Sequence, residues 1–279
     1  MKYSVVIPTK NRADTLRYTL SNVLASRRGE VEVIVHHSGR DEATDAVIAA
    51  AGDARVRYFS SPEPLPMREN WERALACATG EFVTVIGDDD ALMPGAFEVA
   101  DSLIGAHAPE ILSWRPATYY WPSSHDEALA GRAMYRYHID YGNIRFDSRY
   151  ALRWLYRFKW HYSDMPMIYN SFVSRALVER VRSRLGRYFL LNSPDITSGV
   201  VNAAYSDSFL WSNYPLTVTG ISKNSTGQRM AMQEDTQIRL HAISEFMPEE
   251  IVQEWVPENA NLDFGIAVEL LALREALGL

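Results

Sequence analysis

The chain has 279 residues, 47% hydrophobic and 23% charged, with a net charge of −7 and one cysteine, Cys77. That composition suits a soluble globular protein with a substantial core; it excludes low-complexity disorder and a disulfide framework, and the acidic balance argues against general nucleic-acid binding. No stretch approaches the ~20 apolar residues of a membrane span, and Met1–Pro8 has the pattern of a strand rather than a signal peptide, so a cytoplasmic protein is expected.

Tyr3 to Ile7 is a continuous apolar strand, broken by Pro8-Thr9-Lys10-Asn11-Arg12 before a helix over Ala13–Ser26. A second strand covers Val31–Val35, with His36-His37-Ser38-Gly39 after it and a helix over Glu42–Ala51. Val56–Phe59 is a short third strand, and a helix carrying Asn70 and Trp71 follows the proline-rich loop at 62–66. Gly80-Glu81-Phe82-Val83-Thr84-Val85-Ile86-Gly87 is the pattern of a strand buried on both faces, and it empties into Asp88-Asp89-Asp90. Alternating strand and helix predicts an α/β fold with parallel pairing and right-handed crossovers. The triplet then sits at the C-terminal edge of the sheet, where open α/β folds bind ligands. Three adjacent carboxylates call for a cation or for well-placed donors; the alternative is that they cap a helix over Ala91–Phe97.

Val5-Val6-Ile7-Pro8-Thr9-Lys10-Asn11-Arg12, Glu32-Val33-Ile34-Val35, Asn70 with Ala74-Leu75, Ala78-Thr79-Gly80-Glu81-Phe82, and Asp88-Asp89-Asp90-Ala91-Leu92-Met93-Pro94-Gly95 resemble, in order and spacing, the family 2 glycosyltransferases. The resemblance covers roughly the first hundred residues. It implies a GT-A, Rossmann-like fold with a mostly parallel central sheet and an inverting transfer from a nucleotide-diphosphate sugar donor. Pro8, Thr9, Asn11 and Arg12 would then bind the donor with Asn70, Asp88 and Asp89, and Mn²⁺ or Mg²⁺ would be held by Asp90, with Asp88 beside it. Hard oxygen ligands suit such a cation, which stabilises a departing diphosphate. Where the family carries an acidic base-contacting residue after its second strand, this chain has His36-His37; His37 could offer a ring nitrogen instead. Adjacent histidines on an extended segment point opposite ways, so zinc is not expected there.

Between Arg132 and Lys159 seven Arg or Lys face two Asp. Ser148 is placed to cap a helix on which Arg149, Arg153 and Arg157 share a face. This segment reads as a solvated amphipathic helix, as a peripheral contact with anionic lipid through 132–160, or as an acceptor site for a glycan or lipid-linked diphosphate. By the same resemblance Asp195, in Ser193-Pro194-Asp195, would be the catalytic base; otherwise it caps the helix that begins at Ile196. Ser222, Lys223 and Ser225 would close the diphosphate site, and the loop is otherwise simply a loop. Leu262–Leu273 is apolar enough to need the chain's own core or a second copy. The expected organisation is a catalytic domain over 1–228, with a nucleotide-sugar half (1–104) and an acceptor half (105–228), and a helical extension over 229–279. The acceptor implied is a surface polysaccharide or its lipid-linked precursor. The rival readings are a sugar-nucleotide-binding protein without catalysis, and a nucleotidyltransferase or nucleotide-sugar hydrolase.

Overall fold

The computed structural model describes residues 2–26, 28–135, 142–225 and 262–279. The first half alternates as its sequence dictates: β1 (Tyr3–Thr9), α1 (Ala13–Ala25), β2 (Val31–Ser38), α2 (Glu42–Ala50), β3 (Val56–Ser61), α3 (Met67–Ala76), β4 (Phe82–Val85), β5 (Ala91–Leu92) and α4 (Ala96–His107). There follow β6 (Ile111–Trp114), β7 (Ala117–Tyr120), β8 (Ala133–Met134), β9 (Asn143–Asp147), α5 (Ser148–Leu155), β10 (Ser171–Ser174), α6 (Arg175–Leu185), α7 (Pro194–Tyr205), β11 (Ser208–Ser212), β12 (Thr217–Ile221) and α8 (Leu262–Leu277). An eight-stranded sheet has the order β3-β2-β1-β4-β10-β6-β11-β9, and a four-stranded sheet the order β5-β12-β7-β8.

The strands β3, β2, β1 and β4 pair in parallel, with Val6 opposite both Ile34 and Val85. β10 runs antiparallel between β4 and β6, and β9 antiparallel at the far edge. Side chains alternate between two cores. Val6, Ile34, Val83 and Val85 pack with α3 and α5–α8, while Val5, Ile7, Val33 and Val35 pack with α1, α2 and α4. Glu32 ties the starts of these strands together, accepting from Ser4 Oγ at 2.6 Å and from the amides of Thr79 and Gly80. Burial alone would raise its carboxyl, but these hydrogen bonds hold it at about 2.

Several expectations need correction. β2 continues through His36, His37 and Ser38, because β3 also continues to Ser61 and pairs with it throughout. The Ala91–Phe97 helix begins only at Ala96, after a two-residue strand and a left-handed Gly95, so Asp90 caps no helix. The cap of α5 is Asp147, whose carboxylate accepts from the Tyr150 amide; Ser148 is already inside the helix. The apolar face of α8 is answered by the chain's own core, with Ile266, Leu270 and Leu273 buried, so that stripe offers little for self-association. The domain boundary at 228/229, the first part of the 229–279 extension, and residues 136–141 of the basic segment lie outside the described residues.

Candidate active site

Parallel pairing of β1 with β4 brings Thr9, Arg12 and the Asp triplet to one end of the sheet. The triplet's backbone is gripped from both sides. Thr19 Oγ1 on α1 lies 3.0 Å from the Asp88 carbonyl and 2.8 Å from that of Asp90, and Trp121 Nε1 donates to the Asp89 carbonyl at 2.9 Å. Asn22 brackets Leu92 with two further hydrogen bonds.

Each carboxylate has its own partners. Asp88 accepts from Thr9 Oγ1 at 2.6 Å and from Arg12 Nη1 at 2.7 Å. Asp89 Oδ2 accepts from Ser222 Oγ at 2.7 Å, Ser225 Oγ at 2.9 Å and Arg12 Nη2 at 3.3 Å. Asp90 accepts from the amides of Gly87 at 2.6 Å and Gly220 at 2.7 Å. Tyr169 adds a hydrogen bond to Asp90. Arg12 also donates to Ser222 Oγ at 2.9 Å, so the guanidinium is not a solvated side chain but the clasp between β1, the triplet and the loop after β12.

Three buried carboxylates around one guanidinium leave negative charge in excess. Burial, and then the neighbouring Asp89, push Asp90 up to about 7. Burial pushes Asp88 to about 6 despite the opposing pull of Arg12. An all-oxygen donor set with surplus negative charge fits a hard divalent cation. Asp90, the expected direct ligand, has both oxygens hydrogen-bonded to backbone amides. Among the described residues, Asp89 Oδ1 is the carboxylate oxygen of the triplet without a hydrogen bond, which makes Asp89 the better-placed ligand. No group of three His, Cys, Asp or Glu among the described residues forms a ready metal cage, so further ligands would come from substrate or water.

At the end of β2 the expectation for His37 fails. Its side chain is buried, with Nδ1 3.0 Å from Asp45 Oδ1 and Nε2 3.1 Å from Asn11 Oδ1, so neither ring nitrogen faces a ligand. His36 points the other way, 2.6 Å from Asn70 Oδ1, while Asn70 Nδ2 donates to the Thr9 carbonyl. Asn70 is thus a brace between β1 and β2. Asn11 adopts a left-handed φ of 55° over Gly39, where a Cβ would lie 2.5 Å from Asn11 Oδ1. Pro8 lies within β1, opposite His36.

Asp195 occupies the first turn of α7. Burial raises its carboxyl above the ordinary range, and its own amide and that of Ile196 donate to it. It does not cap the helix from outside, since Ser193 holds that position. Ser198 Oγ donates to the Asp195 carbonyl and accepts from the Ile168 amide, in the turn that carries Tyr169 to Asp90. The helix of Asp195 and the triplet therefore share a wall.

Glu269 on α8 accepts from the Ser193 amide at 2.8 Å and is 6% exposed. Burial, with a smaller contribution from Asp195, pushes its carboxyl from 4.5 to about 8. A carboxyl protonated when folded and ionised when unfolded stabilises the fold at low pH, and that contribution is lost as pH rises from about 4.5 to about 8. Glu269→Gln keeps an acceptor for Ser193 without a titrating proton. Urea unfolding is expected to show the variant more stable than wild type by about 1–3 kcal/mol near pH 8 and little different near pH 5; equal slopes with pH would refute this.

Tyr169, Gly220, Trp121, Thr19 and Glu269 have no local motif that singles them out. Each meets its partner through a contact distant in sequence, from 32 residues for Trp121 and Asp89 to 130 for Gly220 and Asp90. Ser222 and Ser225 are brought to the triplet as expected, whereas Lys223 makes no hydrogen bond or ion pair among the described residues.

A Campylobacter jejuni GalNAc(5)-diNAcBac-PP-undecaprenol beta-1,3-glucosyltransferase is 32% identical over 98 residues, which are 34% of this chain and 32% of that protein. The match thus spans about a third of the relative's length. Among solved structures, Staphylococcus aureus TarS 1–349 in complex with UDP-GlcNAc superposes with a TM-score of 0.64 at 16% identity, covering 98% of this chain and 72% of that one. TarS itself gives 0.60 at 16% identity, covering 98% and 43%; at such identity these two establish the fold. The profile of glycosyl transferase family 2 matches residues 4–161, more than half of the chain. The chain therefore belongs to glycosyltransferase family 2 and is built on the GT-A fold.

Proposed function

We propose that the protein transfers a sugar from a nucleoside-diphosphate sugar to a hydroxyl of a lipid-linked glycan precursor, with inversion at the anomeric carbon. The observation that carries this is the convergence of Thr9, Arg12, three carboxylates and the Ser222–Ser225 loop on one end of β1 and β4. Arg12 and the two serine hydroxyls donate to Asp88 and Asp89. As a cation takes their place on Asp89, they would turn a charged fork and O–H donors to diphosphate oxygens, and Thr9 with Asp88 suits a ribose. Asp195 takes the proton from the acceptor hydroxyl as its oxygen attacks the sugar, and the nucleoside diphosphate leaves from the opposite face. Mg²⁺ or Mn²⁺ held through Asp89, with Asp88 and Asp90 adding negative charge behind it, would supply positive charge against the diphosphate.

The lipid-linked acceptor rests on the name of the Campylobacter relative, and uridine diphosphate is the first nucleotide to try because a TarS structure holds UDP-GlcNAc. The donor and the lone cysteine suit the cytoplasm. Calorimetric titration with UDP, GDP, CDP and dTDP, each with Mn²⁺ and with EDTA, tests the donor site. One nucleotide is expected to bind with Mn²⁺ and to lose affinity about 10- to 100-fold in EDTA or in Asp89→Ala. Failure of all four to bind the folded protein with Mn²⁺ would overturn the proposal.

A further inference from the structure

The basic segment is partitioned by the fold. Along α5, Ser148, Ala151, Leu152 and Leu155 are buried, and Arg149, Tyr150 and Arg153 are turned outward. The chain then closes a tight turn, with the Phe158 amide bonded to the Leu155 carbonyl and the Lys159 amide to that of Trp154. Arg157, Phe158 and Lys159 emerge on this turn, all exposed.

Two features of this surface are hard to reconcile with a merely solvated face. Arg149, Arg153, Arg157 and Lys159 have no acidic partner among the described residues, in a chain of net charge −7 where Arg28, Arg55, Arg180 and Arg187, among others, are ion-paired. Large apolar side chains stand between these cations. Phe158 is 70% exposed, Tyr150 53% and, on neighbouring β9, Ile144 50%. Phe158 adopts a left-handed φ of 53°, a conformation costly for an aromatic residue, on the turn that holds it clear of the core. Unpaired cations around outward aromatics match the boundary between lipid headgroups and acyl chains, where charge meets anionic phosphate and rings find apolar depth.

We propose that Arg149, Arg153, Arg157 and Lys159, with Tyr150 and Phe158, form a docking face for an anionic lipid bilayer. No helix among the described residues is long and apolar enough to cross a membrane, so contact would be through this face. The face borders a cleft of about 300 Å³ between Phe158–Tyr162 and the Ile266–Leu270 stretch of α8. Glu269 on that stretch holds Ser193, two residues before Asp195. Resting on the proposed function, a lipid-linked acceptor would thus reach the base from the bilayer side.

The test is co-sedimentation of the full chain with vesicles of phosphatidylcholine alone and of equimolar phosphatidylcholine and phosphatidylglycerol, without donor or acceptor. Wild type is expected to partition to the anionic vesicles alone and to be released by salt. Arg149→Glu/Arg153→Glu/Arg157→Glu should lower partitioning by at least about 100-fold, at roughly fivefold per cation removed. Phe158→Ser, which leaves the charge intact, should lower it about tenfold. Circular dichroism and thermal melting serve as folding controls for both variants. No binding of wild type to anionic vesicles, or undiminished binding of the folded triple variant, would overturn the proposal. Because nothing is transferred in this experiment, its failure leaves the transferase reading standing, and a failed nucleotide titration leaves this one standing.

Discussion

Asp195→Asn is expected to lower sugar transfer by about 10²- to 10⁴-fold while leaving nucleotide affinity within about twofold. Asp195 lies in the first turn of α7, its backbone fixed by Pro194 before it and by the Ser198 hydroxyl on its carbonyl, while its own amide and that of Ile196 donate to the carboxylate. Asparagine fills the same space and can accept from the same two amides, but it takes no proton from an acceptor hydroxyl. Burial raises the Asp195 carboxyl, which makes its ionised form a stronger base than a surface aspartate. Because Asp195 touches neither Arg12 nor the triplet, donor binding should survive. The decisive comparison is turnover against nucleotide affinity on one preparation. Full transfer by the variant would remove Asp195 from the chemistry, and joint loss of both would make it structural.

Gly220→Ala is expected to destabilise the fold by about 3 kcal/mol or more and to abolish nucleotide binding. A Cβ at this position would lie 1.8 Å from the Asp89 carbonyl oxygen and 2.7 Å from Trp121 Nε1, which are hydrogen-bonded to each other. Relief requires β12 to move away from the triplet, which breaks the Gly220 N–H bond to Asp90 and carries Ser222 and Ser225 off Asp89. At about 2–4 °C per kcal/mol, the melting temperature should fall by about 6–12 °C. Gly105→Ala is the control: a Cβ there meets nothing within 4 Å inside α4, and the exchange should be neutral or slightly stabilising. A wild-type melting temperature for Gly220→Ala would show that the approach of β12 to the triplet is looser than the geometry requires.

What was legible in the sequence was what is written locally. The apolar runs of β1, β2 and β4 and the polar breaks after them fix parallel strands and place Thr9, Arg12 and the Asp triplet at one edge, and each of these is where the pattern puts it. His36 and His37 misled because polar residues usually end a strand. Here Asn70, Asn11 and Asp45, drawn from three other elements, satisfy both rings and let β2 run on. Asp90 resembled a ligand by position alone. The structure adds that the amide of Gly220, 130 residues away, donates to one of its oxygens. Tyr169 and Glu269 were invisible for the same reason, since the segments that carry them have no pattern of their own and acquire a role only when α7 and α8 pack.

The clasp made by Arg12 has a consequence for how the chain is synthesised. Arg12 and Asp88 are present early, but Ser222, which completes the clasp, lies 210 residues after Arg12. Until it emerges from the ribosome, three carboxylates at the sheet edge are answered by one guanidinium, and contacts this distant in sequence form slowly. The first half of the chain can therefore condense first as a sheet with an unfinished rim. The clasp is completed only when β12 docks, so fragments that end before Ser222 would carry the family's local motifs without the hydrogen bonds that close the rim.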